Sequence, residues 1–158
     1  MPRFYRRRSY SIRRKRTFNK YIDTLQASIT ANTQSDNLIY TATVAGTVRG
    51  FRLTGSMVAN NATTPAGYVA ALIVLREGFS SPNPLSLTGS LYTPEQDVLW
   101  WSSGIVQVDA DGWNIPINFE DMPRSMRKMQ VGDRLFLSIL CQTDGNFQCT
   151  TQWFNQTA

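Results

Sequence analysis

Apolar and polar residues alternate in short runs over residues 37–158, and this two-residue period predicts β-strands. Turn residues such as Gly46, Gly78 and Gly145 separate the runs. No long helical pattern lies between them, which disfavours a parallel βαβ architecture. The predicted strands cover residues 38–44, 48–59, 68–76, 98–108, 113–119, 126–131, 134–142 and 147–154. Because eight short strands are typical of an antiparallel jelly-roll sandwich, we predict an all-β fold of that class over residues 37–158.

Residues 21–36 depart from this pattern. They are polar overall, and the apolar residues Tyr21, Ile22, Leu25 and Ile29 follow a weak helical period. We interpret the segment as a linker that can hold a short helix.

Residues 77–97 also depart from it, because three prolines force an irregular excursion. The segment is too rich in leucine and tyrosine for a free surface loop, since exposed apolar patches usually mark interfaces. We predict that Leu87, Leu91 and Tyr92 contact neighbouring subunits together with Trp100 or Trp101. The two tryptophans are adjacent and face opposite sides of their strand, so one is expected in the core. The alternative is that the excursion folds back over its own sandwich.

Charge divides the chain sharply. Residues 1–20 carry nine basic residues and no acid, whereas residues 21–158 carry seven basic residues against eleven acidic ones, a balance of −4. Such a basic arm cannot pack against itself, and we predict that it is disordered alone and binds nucleic acid. Phe4, Tyr5, Tyr10 and Phe18 lie among the arginines, a mixture that suits stacking on single-stranded bases. The predicted nucleic-acid-binding residues are Arg3, Arg6, Arg7, Arg8, Arg13, Arg14, Lys15, Arg16 and Lys20.

The densest part of the arm also fits a nuclear import signal, formed by Arg13, Arg14, Lys15 and Arg16. A mitochondrial transit peptide is the alternative, but its arginines would be spread around a helix instead of clustered. No apolar run of signal-peptide length follows the arm, so we expect no secretory signal. No run approaches eighteen consecutive apolar residues, so we expect no membrane insertion.

Catalytic and metal sites find little support in the sequence. The chain has no histidine, the commonest general base and metal ligand. Its acidic residues stand mainly at predicted turns, and residues 109–112 are only a fragment of a calcium-binding loop. Cys141 and Cys149 fall on the last two strands, which belong to opposite sheets in a jelly roll, and we interpret them as buried thiols. We therefore expect no enzyme, metal or cofactor, while an ion at a subunit contact stays open.

Three stretches resemble the capsid proteins of small circular Rep-encoding single-stranded DNA viruses, the circovirus-like group. One stretch resembles the family's strand that ends in a charged turn, YVAALIVLREG (68–78). A second stretch resembles its loop of proline and acidic residues that leads into the next strand, SLYTPEQDVLWW (90–101). RSMRKMQVGDRLFLSIL (124–140) resembles its basic strand, tight turn and apolar strand. With the Arg-rich N-terminus, the resemblance covers nearly the whole chain.

This resemblance implies a single jelly roll, sixty copies in an icosahedral shell, and arms directed inward onto circular single-stranded DNA. The implied partners are other copies of the chain, the DNA genome, host nuclear import receptors and a host-cell receptor. The implied locations are the virion and, during assembly, the host nucleus.

Three other classes stay open on the residues alone. A ribosomal or other cellular nucleic-acid-binding β-protein also carries basic extensions, although its body would ordinarily be basic too. A lectin-like or cytokine-like jelly roll would carry a secretion signal in place of an arginine arm. A β-sandwich hydrolase would need a pair of carboxylates to act without histidine.

Overall fold

The computed structural model describes residues 17–59, 65–85, 96–106, 113–120 and 127–157, which form strands and turns and contain no helix. The strands are β1 (Thr17–Ile29), β2 (Ser35–Thr41), β3 (Gly46–Ala59), β4 (Ala66–Leu75), β5 (Gln96–Val106), β6 (Trp113–Glu120), β7 (Arg127–Met129), β8 (Arg134–Cys141) and β9 (Gly145–Thr157).

The strands form two antiparallel sheets. The five-stranded sheet has the order β1-β9-β3-β6, and its fifth strand, β7, pairs with β3 on the same side as β6. The four-stranded sheet has the order β2-β8-β4-β5. Successive strands cross between the sheets at most connections, which is the strand order of a jelly roll. The predicted fold class is therefore confirmed.

One expectation of local structure is wrong. Residues 21–29, predicted as a linker with a short helix, belong to β1 together with residues 17–20 of the predicted arm. β1 pairs with β9 along its whole length, from Thr17 opposite Thr157 to Ile29 opposite Gly145. Apolar residues four apart share a face of a strand as well as of a helix, so the spacing could not separate the two. Ile22, which fits only the helical reading, is 62% exposed.

The main core lies between the two sheets. β3, β8 and β9 supply its largest side chains, and Trp153 stands near its centre, stacked on Tyr21 at 5.3 Å and on Phe51 at 5.9 Å between ring centroids. Leu135, Leu137 and Ile139 of β8 are fully buried against it. The alternating residues of β8 thus place one face of that strand in the main core.

A second cluster lies on the outer face of the four-stranded sheet, where Val69, Ala71 and Ile73 of β4 pack with Val98 and Leu85. This cluster explains why β4 is apolar on both faces. Leu85 reaches it from the segment after β4, so this part of the 77–97 excursion folds back over its own sheet, as the alternative interpretation proposed.

Candidate nucleic-acid and subunit-contact surfaces

The predicted arm joins the body at the first residue of β1. Lys20 lies on this strand, exposed, opposite Phe154 of β9. β1 is an edge strand of the five-stranded sheet, so the arm leaves the sandwich at one end of that sheet's edge. The other predicted nucleic-acid-binding residues lie outside the described residues, as do the four of the predicted import signal: Arg3, Arg6, Arg7, Arg8, Arg13, Arg14, Lys15 and Arg16.

The outer face of the five-stranded sheet continues the positive charge of the arm. Residues directly opposite each other in antiparallel strands project to the same face. Arg49 is opposite Phe154, and Arg52 is opposite Gln152, one row further along β9. Lys128 of β7 is opposite Thr47 and is exposed. We call Lys20, Arg49, Arg52 and Lys128 the basic end of this face.

A bulge in β3 brings the two arginines to one face. Arg49 and Arg52 are three positions apart in β3, whereas their partners in β9, Phe154 and Gln152, are only two positions apart. Gly50 has a φ of 55°, in the left-handed region that glycine adopts without strain. The extra residue sends Val48 and Phe51 into the core, so both arginines belong to the outer face, where Arg52 is exposed and Arg49 is half-buried. Sequence alternation alone puts residues 49 and 52 on opposite faces, so it missed this cluster.

The predicted subunit-contact residues are divided by the structure. Trp100 packs partly against the core, and Trp101 is 52% exposed, as the opposite orientation of adjacent strand residues predicted. Trp101 is opposite Ala71, so it extends the apolar outer face of the four-stranded sheet, and Ile105 further along β5 is 70% exposed. Leu87, Leu91 and Tyr92 lie outside the described residues.

Charged side chains fix the two ends of the 77–97 excursion. Arg76, just after β4, forms ion pairs with Asp97 of β5 and with Asp133 in the turn before β8. Asp133 is 2% exposed and also accepts hydrogen bonds from the backbone N–H groups of Glu77 and Gln130, at 3.1 and 2.8 Å. The excursion therefore begins and ends at defined points of the four-stranded sheet.

The described residues offer little for acid–base or metal chemistry. They contain no group of three or more histidine, cysteine or acidic residues that could hold a metal ion. Cys141 and Cys149 are buried free thiols on opposite sheets, in agreement with the sequence interpretation. Burial, and then the charge of Asp23, raise the pKa of Cys149 to about 12, so its thiol stays protonated at neutral pH.

The described residues form a shallow cleft that adds no such chemistry. This cleft of about 410 Å³ beside β5 is lined by residues such as Tyr68, Ser103 and Gln142, without an acidic or basic side chain. Residues 109–112 lie outside the described residues. Within the described ranges, no helix is long and apolar enough to cross a membrane.

Comparison with known proteins adds only distant structural likeness. No protein-family model matches the chain, and no curated protein matches it. The crystal structure of the infectious bursal disease virus VP2 subviral particle aligns with a TM-score of 0.39 and 10% identity, over 87% of this chain and 32% of that chain. T=1 particles derived from infectious bursal virus align with a TM-score of 0.12 and 9% identity, over 85% and 39%.

This chain thus spans about a third of the length of those proteins. Likeness this weak carries no argument about function, and the fold assignment rests on the strand order.

Proposed function

We propose that this chain is a viral capsid protein that assembles into a small icosahedral shell of sixty copies. Its basic arm packages circular single-stranded DNA on the inner side of the shell. The observation that carries the proposal is the separation of charge on a jelly-roll body. Nine cations without an acid stand in residues 1–20, next to a body with a balance of −4.

This separation suits a protein that must bind nucleic acid at one end and tile with copies of itself elsewhere. Nine charges on each of sixty arms amount to about 540, which neutralises several hundred phosphates of a single strand. The body has a net charge of −4, so most of the positive charge that is available to phosphates lies in the arm. The resemblance to circovirus-like capsid proteins supports the same assignment, and it directs the arms inward.

The proposed subunit contacts involve Leu87, Leu91, Tyr92 and Trp101. Trp101 and Ile105 are exposed on the outer face of β5, the strand with which the excursion rejoins the sheet. Exposed aromatic residues of this kind are common in interfaces. Trp100 contributes by packing against its own core, which fixes the strand that presents Trp101.

We further propose that Arg13, Arg14, Lys15 and Arg16 direct the chain to the host nucleus, where the DNA would be packaged. The same residues bind import receptors before assembly and phosphates afterwards. Replacing all four with alanine in a fluorescent fusion should abolish nuclear accumulation, and unchanged accumulation would contradict this role.

The central test is to purify the full chain and a chain without residues 1–16, which leaves β1 and its pairing with β9 intact. Electron microscopy should show uniform particles of the full chain that protect single-stranded DNA from nuclease. The shortened chain should keep its β-sheet circular dichroism and bind DNA much more weakly than the full chain at physiological salt. Monomers or small oligomers of the full chain, or equal DNA binding by the shortened chain, would contradict the proposal. Selective binding to structured RNA by a small oligomer would favour the ribosomal alternative.

A further inference from the structure

We infer that the basic end of the five-stranded sheet is a second nucleic-acid site, in the folded body. It binds the sugar-phosphate backbone of single-stranded DNA and one of its bases. The inference rests on the proposed function and deepens it. It assigns part of the contact with the genome to the rigid sheet and the rest to the arm.

The charge on the outer face is confined to one end. Strand register divides this face into rows that cross β1, β9, β3 and either β6 or β7. Lys20, Arg49, Arg52 and Lys128 fall in the three rows nearest the start of β1. Glu120, opposite Arg52, is the one acidic residue in these rows. The next three rows hold only uncharged residues: Thr24, Thr150, Thr54 and Asn118; Gln26, Gln148, Ser56 and Pro116; Ser28, Asn146, Val58 and Asn114.

The basic end differs in its surroundings from the other basic residues whose side chains are described. Arg76 is held by two carboxylates, and Arg134 donates to the carbonyl oxygens of Phe79 and Ser80. Those two arginines stabilise the turns of the body. Lys20, Arg52 and Lys128 are instead exposed on an open sheet face. Lys128 lies on the strand next to Arg49, where like charges repel each other, so an anion bound over them would relieve the repulsion.

An aromatic ring lies among these charges. Phe154 stands in one row between Lys20 and Arg49, half-buried on the outer face, and its Cδ2 lies 3.4 Å from where a Cβ on Gly50 would be. Cations that follow a backbone, next to a ring on which a base stacks, are the usual arrangement in single-strand binding proteins. A flat sheet with a ring and flanking cations suits a splayed single strand better than a duplex, whose bases are hidden.

The position of the arm supports the same occupant. Residue 16 precedes β1 directly, so the basic arm is tethered next to the basic end. Single-stranded DNA bound to the arm is held at high local concentration beside the sheet, so each site strengthens binding at the other.

The test measures binding of the full chain to fluorescent oligo(dT) over a range of salt concentrations. The variant Lys20→Gln/Arg52→Gln should bind more weakly, and the slope of log K against log salt should become shallower by about 1.4, because each lost phosphate contact removes about 0.7. Lys20→Arg/Arg52→Lys keeps both charges and should retain the slope. Phe154→Leu should weaken binding roughly tenfold with an unchanged slope, since stacking releases no counterions.

A matched control lies on the same face. Gln26→Glu/Gln148→Glu changes the net charge by the same two units, about 20 Å from Lys20 and about 13 Å from Arg52 along the strands, which is beyond the screening length of about 8 Å at physiological salt. This control should alter neither affinity nor slope appreciably. Thermal unfolding shows whether each variant is folded. If Lys20→Gln/Arg52→Gln is not folded, Lys128→Gln, in the three-residue strand β7, replaces it as the variant that removes a charge.

Four outcomes would overturn the inference. Unchanged affinity and slope in the Lys20→Gln/Arg52→Gln variant would show that the sheet does not contact phosphates. An equal loss in the distant control would show a general charge effect. A wild-type chain that fails to bind oligo(dT) would overturn the proposed function as well, whereas binding that depends only on residues 1–16 would overturn the second site alone.

Discussion

Asp133 is expected to be the most sensitive carboxylate among the described residues, and replacing it with asparagine tests how the excursion is anchored. Its Oδ2 accepts from Arg76 Nη1 at 2.7 Å and from the Gln130 N–H at 2.8 Å, and its Oδ1 accepts from the Glu77 N–H at 3.1 Å. All three partners are donors. An asparagine side chain has one oxygen, so its amide group must face at least one N–H whichever way it is turned.

The expected cost follows from these contacts. Two hydrogen bonds lose their ionic character, at about 1 kcal/mol each, and one buried donor loses its acceptor, at about 1–3 kcal/mol. We discount the ion pair itself, because the Arg76 side chain is 38% exposed and solvent screens it. The total is about 3–5 kcal/mol, which corresponds to a fall in Tm of roughly 6–20 °C for a chain of this size.

Asp97→Asn is the matched control. Asp97 also pairs with Arg76, but its side chain is 35% exposed, so its removal should cost less than about 1 kcal/mol. Guanidinium unfolding of unassembled protein, followed by tryptophan fluorescence, measures both variants. Equal losses of stability in the two variants, within about 0.5 kcal/mol, would refute the reasoning that burial and donor count decide the cost.

Three further predictions test other parts of the structure. Gly50→Ala should lower the free energy of unfolding by about 1–2 kcal/mol, because φ is positive at this position. The new Cβ would make only ordinary contact with Phe154, so the loss reports backbone strain. Gly50→Asn should lose less stability, and equal losses in the two variants would contradict the assigned strain. Cys149 has a pKa of about 12 against an ordinary value of 9.0, so below pH 9 its thiolate should be about a thousandfold scarcer in the folded protein than in the unfolded one. Iodoacetamide should therefore modify Cys149 rapidly only after unfolding. The stability that this thiol contributes should be lost as the pH rises from 9 to 12. Equal alkylation rates in the folded and unfolded protein would disprove the raised pKa. Trp101→Glu should prevent particle formation without loss of the β-sheet signal, whereas Val131→Glu, an equally exposed position in the turn before β8, should still assemble; intact Trp101→Glu particles would remove Trp101 from the proposed interface.

Local sequence was sufficient for features that depend on one strand at a time. The alternation of apolar and polar residues located β2 to β9, because burial of one face imposes a period of two wherever a strand lies on a core. Residues 68–76 are apolar on both faces, and the structure explains this by placing β4 inside its sheet with a covered outer face. The adjacent pair Trp100 and Trp101 correctly indicated one inner and one outer ring. The separation of charge between residues 1–20 and the rest of the chain is likewise a property of the sequence alone.

Tertiary pairing decided the rest, since register is a relation between segments far apart in the chain. The spacing of Tyr21, Leu25 and Ile29 fits a helix as well as a strand, and only the thirteen-residue ladder with β9 makes it β1. One extra residue at Gly50 turns Arg49 and Arg52 to the same face. A glycine inside a strand pattern suggests a bulge, but only the register with β9 shows that one is formed there. The basic end joins residues from β1, β3 and β7, so it exists only where hydrogen bonding sets those strands side by side.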